Sequence, residues 1–82
     1  MARLLCTIAD EVWGDWEKVS PYAKPYLDAM GDLKGMGDVY YADTAESVVL
    51  YFLANAAGWR GPVARGVKAE LLAQVKAWRA EG

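Results

Sequence analysis

Apolar side chains return along this chain at intervals of three and four, the period of one helical face, and prolines and glycines separate the periodic stretches. Leu5, Ile8, Val12, Trp16 and Val19 share one such face and predict a helix over about residues 3–18. Asp10, Gly14 and Glu17 fall opposite it, with Glu11 and Asp15 on one flank, so the outer side of that helix is acidic. Ser20-Pro21 stops the helix, because proline lacks the amide donor and restricts the residue before it. Pro25 suits a first helical position and predicts a second, shorter helix over about 25–32, with Tyr22, Tyr26, Met30 and Leu33 along its inner side. Gly31, Gly35 and Gly37 mark a loop. Val39-Tyr40-Tyr41 is too short for a sheet and has no partner strand, so it reads as an extended or single-turn connector.

Asp43 is a good N-cap, and Glu46 three residues later completes a capping-box pattern that opens a third helix over about 44–57. The run Val48 to Ala54 is apolar all round, which marks a helix buried on most sides, and Gly58 is its expected left-handed terminator. Gly61-Pro62 opens a fourth helix over about 62–80, with Val63, Val67, Leu71, Val75 and Trp78 as its inner stripe. The pattern therefore predicts an all-α fold: a compact four-helix bundle, helix three the most buried, in a single domain over residues 1–82.

Composition sharpens this picture. A chain of 82 residues buries about 60–65% of its unfolded surface, so its core must be dense. With 55% hydrophobic residues the chain can offset its conformational entropy, which excludes disorder. Cys6 is the single cysteine, which excludes a disulfide scaffold, and its neighbours Leu4, Leu5 and Ile8 predict a buried, inert thiol. There is no histidine, which removes His-based acid–base catalysis, Ser-His and Cys-His nucleophile pairs and His-containing zinc or iron sites. The carboxylates fall at no recognisable catalytic spacing, and the glycine loop carries neither the Gly-Lys-Ser/Thr of a phosphate loop nor the oxygen ligands of a calcium loop. The expectation is a protein that is not an enzyme, with no cofactor and no metal. The apolar runs are far shorter than the roughly 20 residues that span a bilayer, so no membrane association is expected, and the single unpaired cysteine predicts a cytoplasmic location.

Charge then divides the chain. Residues 1–58 hold four basic and nine acidic side chains, a net of −5, and residues 59–82 hold five basic and two acidic, a net of +3. Arg65, Lys68, Lys76 and Arg79 fall within about an 80° sector of helix four, with Leu72 in its middle. That face is either a dock for an acidic partner, with Leu72 as an apolar anchor, or a solvated surface. Asp10, Glu11, Asp15 and Glu17 form the opposite candidate, a carboxylate face able to compete with nucleic acid for a basic groove, or again a solvated surface. Trp59 with Arg60 is either an exposed interface anchor or a tryptophan tucked over the end of the bundle. Helices three and four, joined across Gly58-Trp59-Arg60-Gly61, also fit a helix-turn-helix that reaches DNA with Arg60, Arg65 and Lys68. Against nucleic acid stand the overall charge of −2 and a third helix with Glu46 and no Lys or Arg.

Several segments carry a family likeness: Ala9 with Asp15-Trp16, Pro25 to Met30, Tyr41 and Asp43, and Leu50 to Asn55. Trp59-Arg60-Gly61, Ala64-Arg65 and Val67 to Leu71 extend it. Through these residues the chain resembles a family of short, mostly uncharacterised bacterial, prophage and mobile-element proteins, and Tyr51 to Leu71 is the specific stretch. The resemblance implies a helical fold and, by genetic setting, an inhibitor of host defence of the anti-CRISPR type whose partner is a host or phage protein. A DNA-binding accessory factor using helix four and a self-associating structural protein, a homodimer built on the aromatic surplus, are the alternatives.

Overall fold

The computed structural model describes residues 2–81 and contains four helices and one short hairpin: α1 (Leu5–Asp15), α2 (Lys24–Met30), β1 (Val39–Tyr40), β2 (Asp43–Thr44), α3 (Ala45–Ala54) and α4 (Pro62–Glu81). The Cα radius of gyration is 11.6 Å, the value of about 12 Å expected for a fully packed chain of this length.

The predicted inner face of α1 holds: Leu5, Ile8, Val12 and Trp16 are buried and Val19 is half-buried. The helix is shorter at both ends than its periodicity implies. No side chain caps its start. Its first amides are satisfied instead by the glycine loop, as Leu5 donates to the Lys34 carbonyl at 2.8 Å and Cys6 to the Leu33 carbonyl at 2.9 Å. At the other end Trp16 leaves helical geometry, with ψ at 96°, and turns its indole into the core. Cys6 is half-buried rather than buried, a correction to the sequence reading.

α2 begins one residue earlier than expected, with Pro25 second rather than first, and ends at Met30. The Ser20 carbonyl accepts from Ala23 and Lys24 and shapes the entering turn. The inner side is Ala23, Leu27 and Met30, and Leu33 beyond the helix is buried as predicted. Tyr22 does not join them: it is 76% exposed. The loop that follows is anchored by Asp38, whose Oδ2 accepts from the amides of Lys34 and Gly35, and by the inward side chains of Leu33 and Met36.

The connector after it does have a partner strand, contrary to expectation. Val39 pairs with Thr44 and Tyr40 with Asp43 in an antiparallel ladder. A two-residue link, Tyr41-Ala42, closes it, and Tyr41 takes the positive φ of 55° that primed hairpin turns require. Because Asp43 serves the ladder, the N-cap of α3 falls one residue later: Thr44 Oγ1 accepts from the Ser47 amide at 3.1 Å, a bond worth about 1 kcal/mol at such a position. Glu46 makes no capping box and instead pairs with Arg79 of α4. α3 ends at Asn55, whose amide side chain donates to the Tyr51 carbonyl, and not at Gly58. The left-handed glycine is Gly61, with φ of 110°, at the mouth of α4.

α2 lies against α3, α1 bridges α2 and α4, and α3 also meets α4. Phe52, Val48 and Val49 of α3, Leu27 and Met30 of α2, and Leu71 of α4 are among the residues at the centre of the core. On α4 Val67, Leu71 and Val75 are buried as the stripe predicts, and Val63 is half-buried. Trp78 departs from it at 42% exposed, lying over Gly37 and the edge of the glycine loop.

Candidate protein-binding surfaces

The basic sector of α4 does not stand as one free surface. Arg65 and Lys76 are exposed, but Lys68 is half-buried and its Nζ donates to the Trp59 carbonyl at 2.7 Å, while Arg79 donates to Glu46. Leu72 remains out in solvent, 45% exposed. The acidic face is divided in the same way. Asp10 and Glu17 are exposed, Glu11 accepts from Arg3 at 2.7 Å, and Asp15 Oδ2 accepts from the Trp59 indole N–H at 2.8 Å. Trp59 is 2% exposed and stacks on Trp16, with ring centroids 5.8 Å apart and planes 11° from parallel. It is part of the core, and of that pair only Arg60 is exposed. Arg60, Arg65 and Lys68 do come together, around a shallow depression of about 310 Å³ at the start of α4.

Arg3 ties the chain's beginning to two helices. Its guanidinium donates to Glu70 of α4 through two nitrogens, at 2.9 and 2.6 Å, and to Glu11 of α1. The hydrogen bonds to Glu70 and then Glu11 hold Arg3 above its already high range, and the bonds from Arg3 hold the Glu70 carboxyl below the usual glutamate range. A carboxylate with a lowered folded value contributes stability that is complete above its unfolded value of about 4.3 and is lost as pH falls through the folded one. Arg3 stays protonated throughout and adds no slope. Glu70→Gln is therefore expected to flatten the fall in melting temperature between roughly pH 5 and pH 3, and to lower the neutral-pH melting temperature slightly, in keeping with an exposed pair. Thermal melts across that range check this, and a Gln variant that keeps the parent's slope contradicts it.

The residues that sequence reasoning missed are the tyrosines. All five lie between positions 22 and 51. Tyr41 is 87% exposed, Tyr22 76% and Tyr51 54%, and Tyr26 and Tyr40 are half-buried against the core. Tyr26 of α2 stacks on Tyr51 of α3 at 5.4 Å, and Tyr41 meets Tyr40 edge-on at 4.7 Å. The Tyr40 phenol is pushed up, first by desolvation and then by Tyr41 and the carboxylates of Asp32 and Asp28. The signal available beforehand was local clustering: residues 21–55 hold five tyrosines and five acids against two lysines.

Among the described residues no helix is long and apolar enough to cross a membrane, and no three His, Cys, Asp or Glu side chains are grouped to hold a metal ion. Comparison with protein-family profiles, with curated proteins and with solved structures returned no match.

Proposed function

We propose that this chain is a non-enzymatic protein-binding module that acts by covering a surface of its partner. The observation that carries the reading is the exposure of three tyrosines: Tyr22 in the turn before α2, Tyr41 in the hairpin turn and Tyr51 on α3. Tyrosine offers large amphipathic contact area at the cost of few rotatable bonds, which is why it is concentrated in protein-recognition surfaces. Tyr41 in particular leaves nearly its whole ring in solvent, at a backbone φ that its own side chain disfavours. In this reading the scaffold is a bundle built round α3 and works in the cytoplasm, where a single thiol stays reduced.

Its most concrete form follows from the family resemblance: a phage or mobile-element inhibitor of the anti-CRISPR type, which blocks a host defence complex. Titration of the parent protein and of a Tyr41→Ala/Tyr51→Ala variant against purified CRISPR effector complexes tests both levels. The parent binds one of them, and the variant loses about tenfold or more in affinity. No binding by the parent to any such complex removes the specific form; equal binding by the variant removes the tyrosine surface.

A second reading, DNA binding through the start of α4, is favoured by the meeting of Arg60, Arg65 and Lys68 at one depression. It requires a gel shift that weakens steeply with salt.

A further inference from the structure

We propose that the depression at the start of α4 binds a phosphate monoester, a compact dianion, at a site independent of the tyrosines of the protein-binding reading. Arg60, Arg65 and Lys68 line it together with Trp59, Gly61 and Ala64. Positions 61, 64, 65 and 68 follow the spacing of one helical face, so the geometry of α4 gathers them along one side of its first two turns. Among the described residues no carboxylate pairs with any of the three cations, whereas Arg3 and Arg79 are both paired with glutamates. Lys68 is the fixed member. It is half-buried, and one of its N–H groups donates to the Trp59 carbonyl at 2.7 Å. That acceptor is neutral, so the ammonium keeps its full charge and has two further N–H groups to donate. The carbonyl is held in turn by the burial of its own indole against Trp16, which positions the cation before any anion arrives.

Charge and size select the occupant. Three cations round a volume of about 310 Å³ exceed what one carboxylate neutralises. They suit a dianion with three terminal oxygens, each an acceptor for a guanidinium fork or an ammonium. An extended polyanion fits less well. The neighbouring depression shares Trp59 and Arg60 and is lined by Asp15 and Glu17 as well as Lys18, so a nucleic-acid strand running on past Arg60 meets two carboxylates. A single phosphate ester stops short of them. Its source is either a free nucleotide or a phosphorylated side chain.

The test titrates the isotope-labelled full chain at constant ionic strength and about pH 7.5 with methyl phosphate, dimethyl phosphate and acetate, following amide resonances. Methyl phosphate shifts the amides of residues 60–68 and saturates in about the millimolar range, and the two singly charged anions bind about fivefold or more weakly. Arg60→Gln and Arg65→Gln each weaken methyl phosphate about threefold or more. Lys24→Gln, which removes an exposed lysine at the start of α2, leaves its binding unchanged. Adenosine monophosphate and a phosphoserine tripeptide then separate the two sources, the tighter of them identifying which supplies the phosphate. Absence of saturation, equal affinity for the three anions, or undiminished binding by the arginine variants overturns the proposal. A short DNA duplex that shifts these amides and is released by salt, while methyl phosphate leaves them unmoved, overturns it in favour of the DNA reading.

Discussion

Trp59→Ala lowers the unfolding free energy by about 3–5 kcal/mol, against a total of about 4–12 kcal/mol for a chain of this length. The indole is the plug at the junction of three elements. It stacks face to face on Trp16 at the end of α1, meets Phe52 of α3 at 6.5 Å, and donates its N–H to Asp15. Its own carbonyl holds Lys68 of α4. Alanine removes the stacked ring and leaves a cavity beside Trp16 and Phe52, so the transfer and cavity costs add. Two milder variants separate the contributions. Trp59→Phe keeps most of the ring but loses the bond to Asp15, at a cost of about 1–2 kcal/mol, since the exposed Asp15 recovers water as its partner. Asp15→Asn keeps an oxygen acceptor and costs less than about 1 kcal/mol. Urea unfolding followed by far-ultraviolet circular dichroism ranks the three. If Trp59→Ala falls no further than Asp15→Asn, the stacked plug does not hold this end of the molecule together.

The helical faces were legible because they are local. Leu5, Ile8, Val12 and Trp16, or Val67, Leu71 and Val75, bury themselves at the period that chain geometry imposes, and no distant residue is needed to read it. What escaped the sequence depends on partners far along the chain. The start of α1 is capped by the carbonyls of Leu33 and Lys34, a cap that no motif near Leu5 announces. The hairpin lacks the Asn-Gly or Asp-Gly signal of a two-residue turn, as Tyr41 holds the strained position itself, so the local pattern announces neither strand and points to a cap of α3 one residue early. The charged sectors follow from helical period, but intramolecular partners occupy part of each. Arg79 reaches Glu46 across 33 positions, Arg3 reaches Glu70 across 67, and Trp59 reaches Asp15 across 44. Tyrosine clustering was visible in composition, but Tyr22 fitted an inner helical stripe on paper, and only the packing of Ala23 and Leu27 turned it outward.

Phe52→Ala is expected to match Trp59→Ala, at about 3–5 kcal/mol, because Phe52 is fully buried and is among the largest side chains that are. It meets Trp16 edge-on at 6.4 Å and 68°, the arrangement in which a ring edge lies against the face of its neighbour. The two losses do not add. Phe52, Trp16 and Trp59 form one aromatic cluster linking α1, α3 and the entry to α4, each ring meeting both others, so removing either Phe52 or Trp59 already loosens the packing that the other depends on. Both alanines together leave too little stability to measure, so the coupling is read from Phe52→Leu and Trp59→Phe, singly and combined. The combined variant is expected to be less destabilised than the sum of the singles by about 0.5–1.5 kcal/mol. Additive losses, within about 0.3–0.5 kcal/mol, would mean that the three rings are neighbours only and that each is held by its own helix. Coupled losses make this cluster the unit that sets how α3 is held against α1 and α4, and with it the position of Tyr51, one residue before Phe52 and facing solvent.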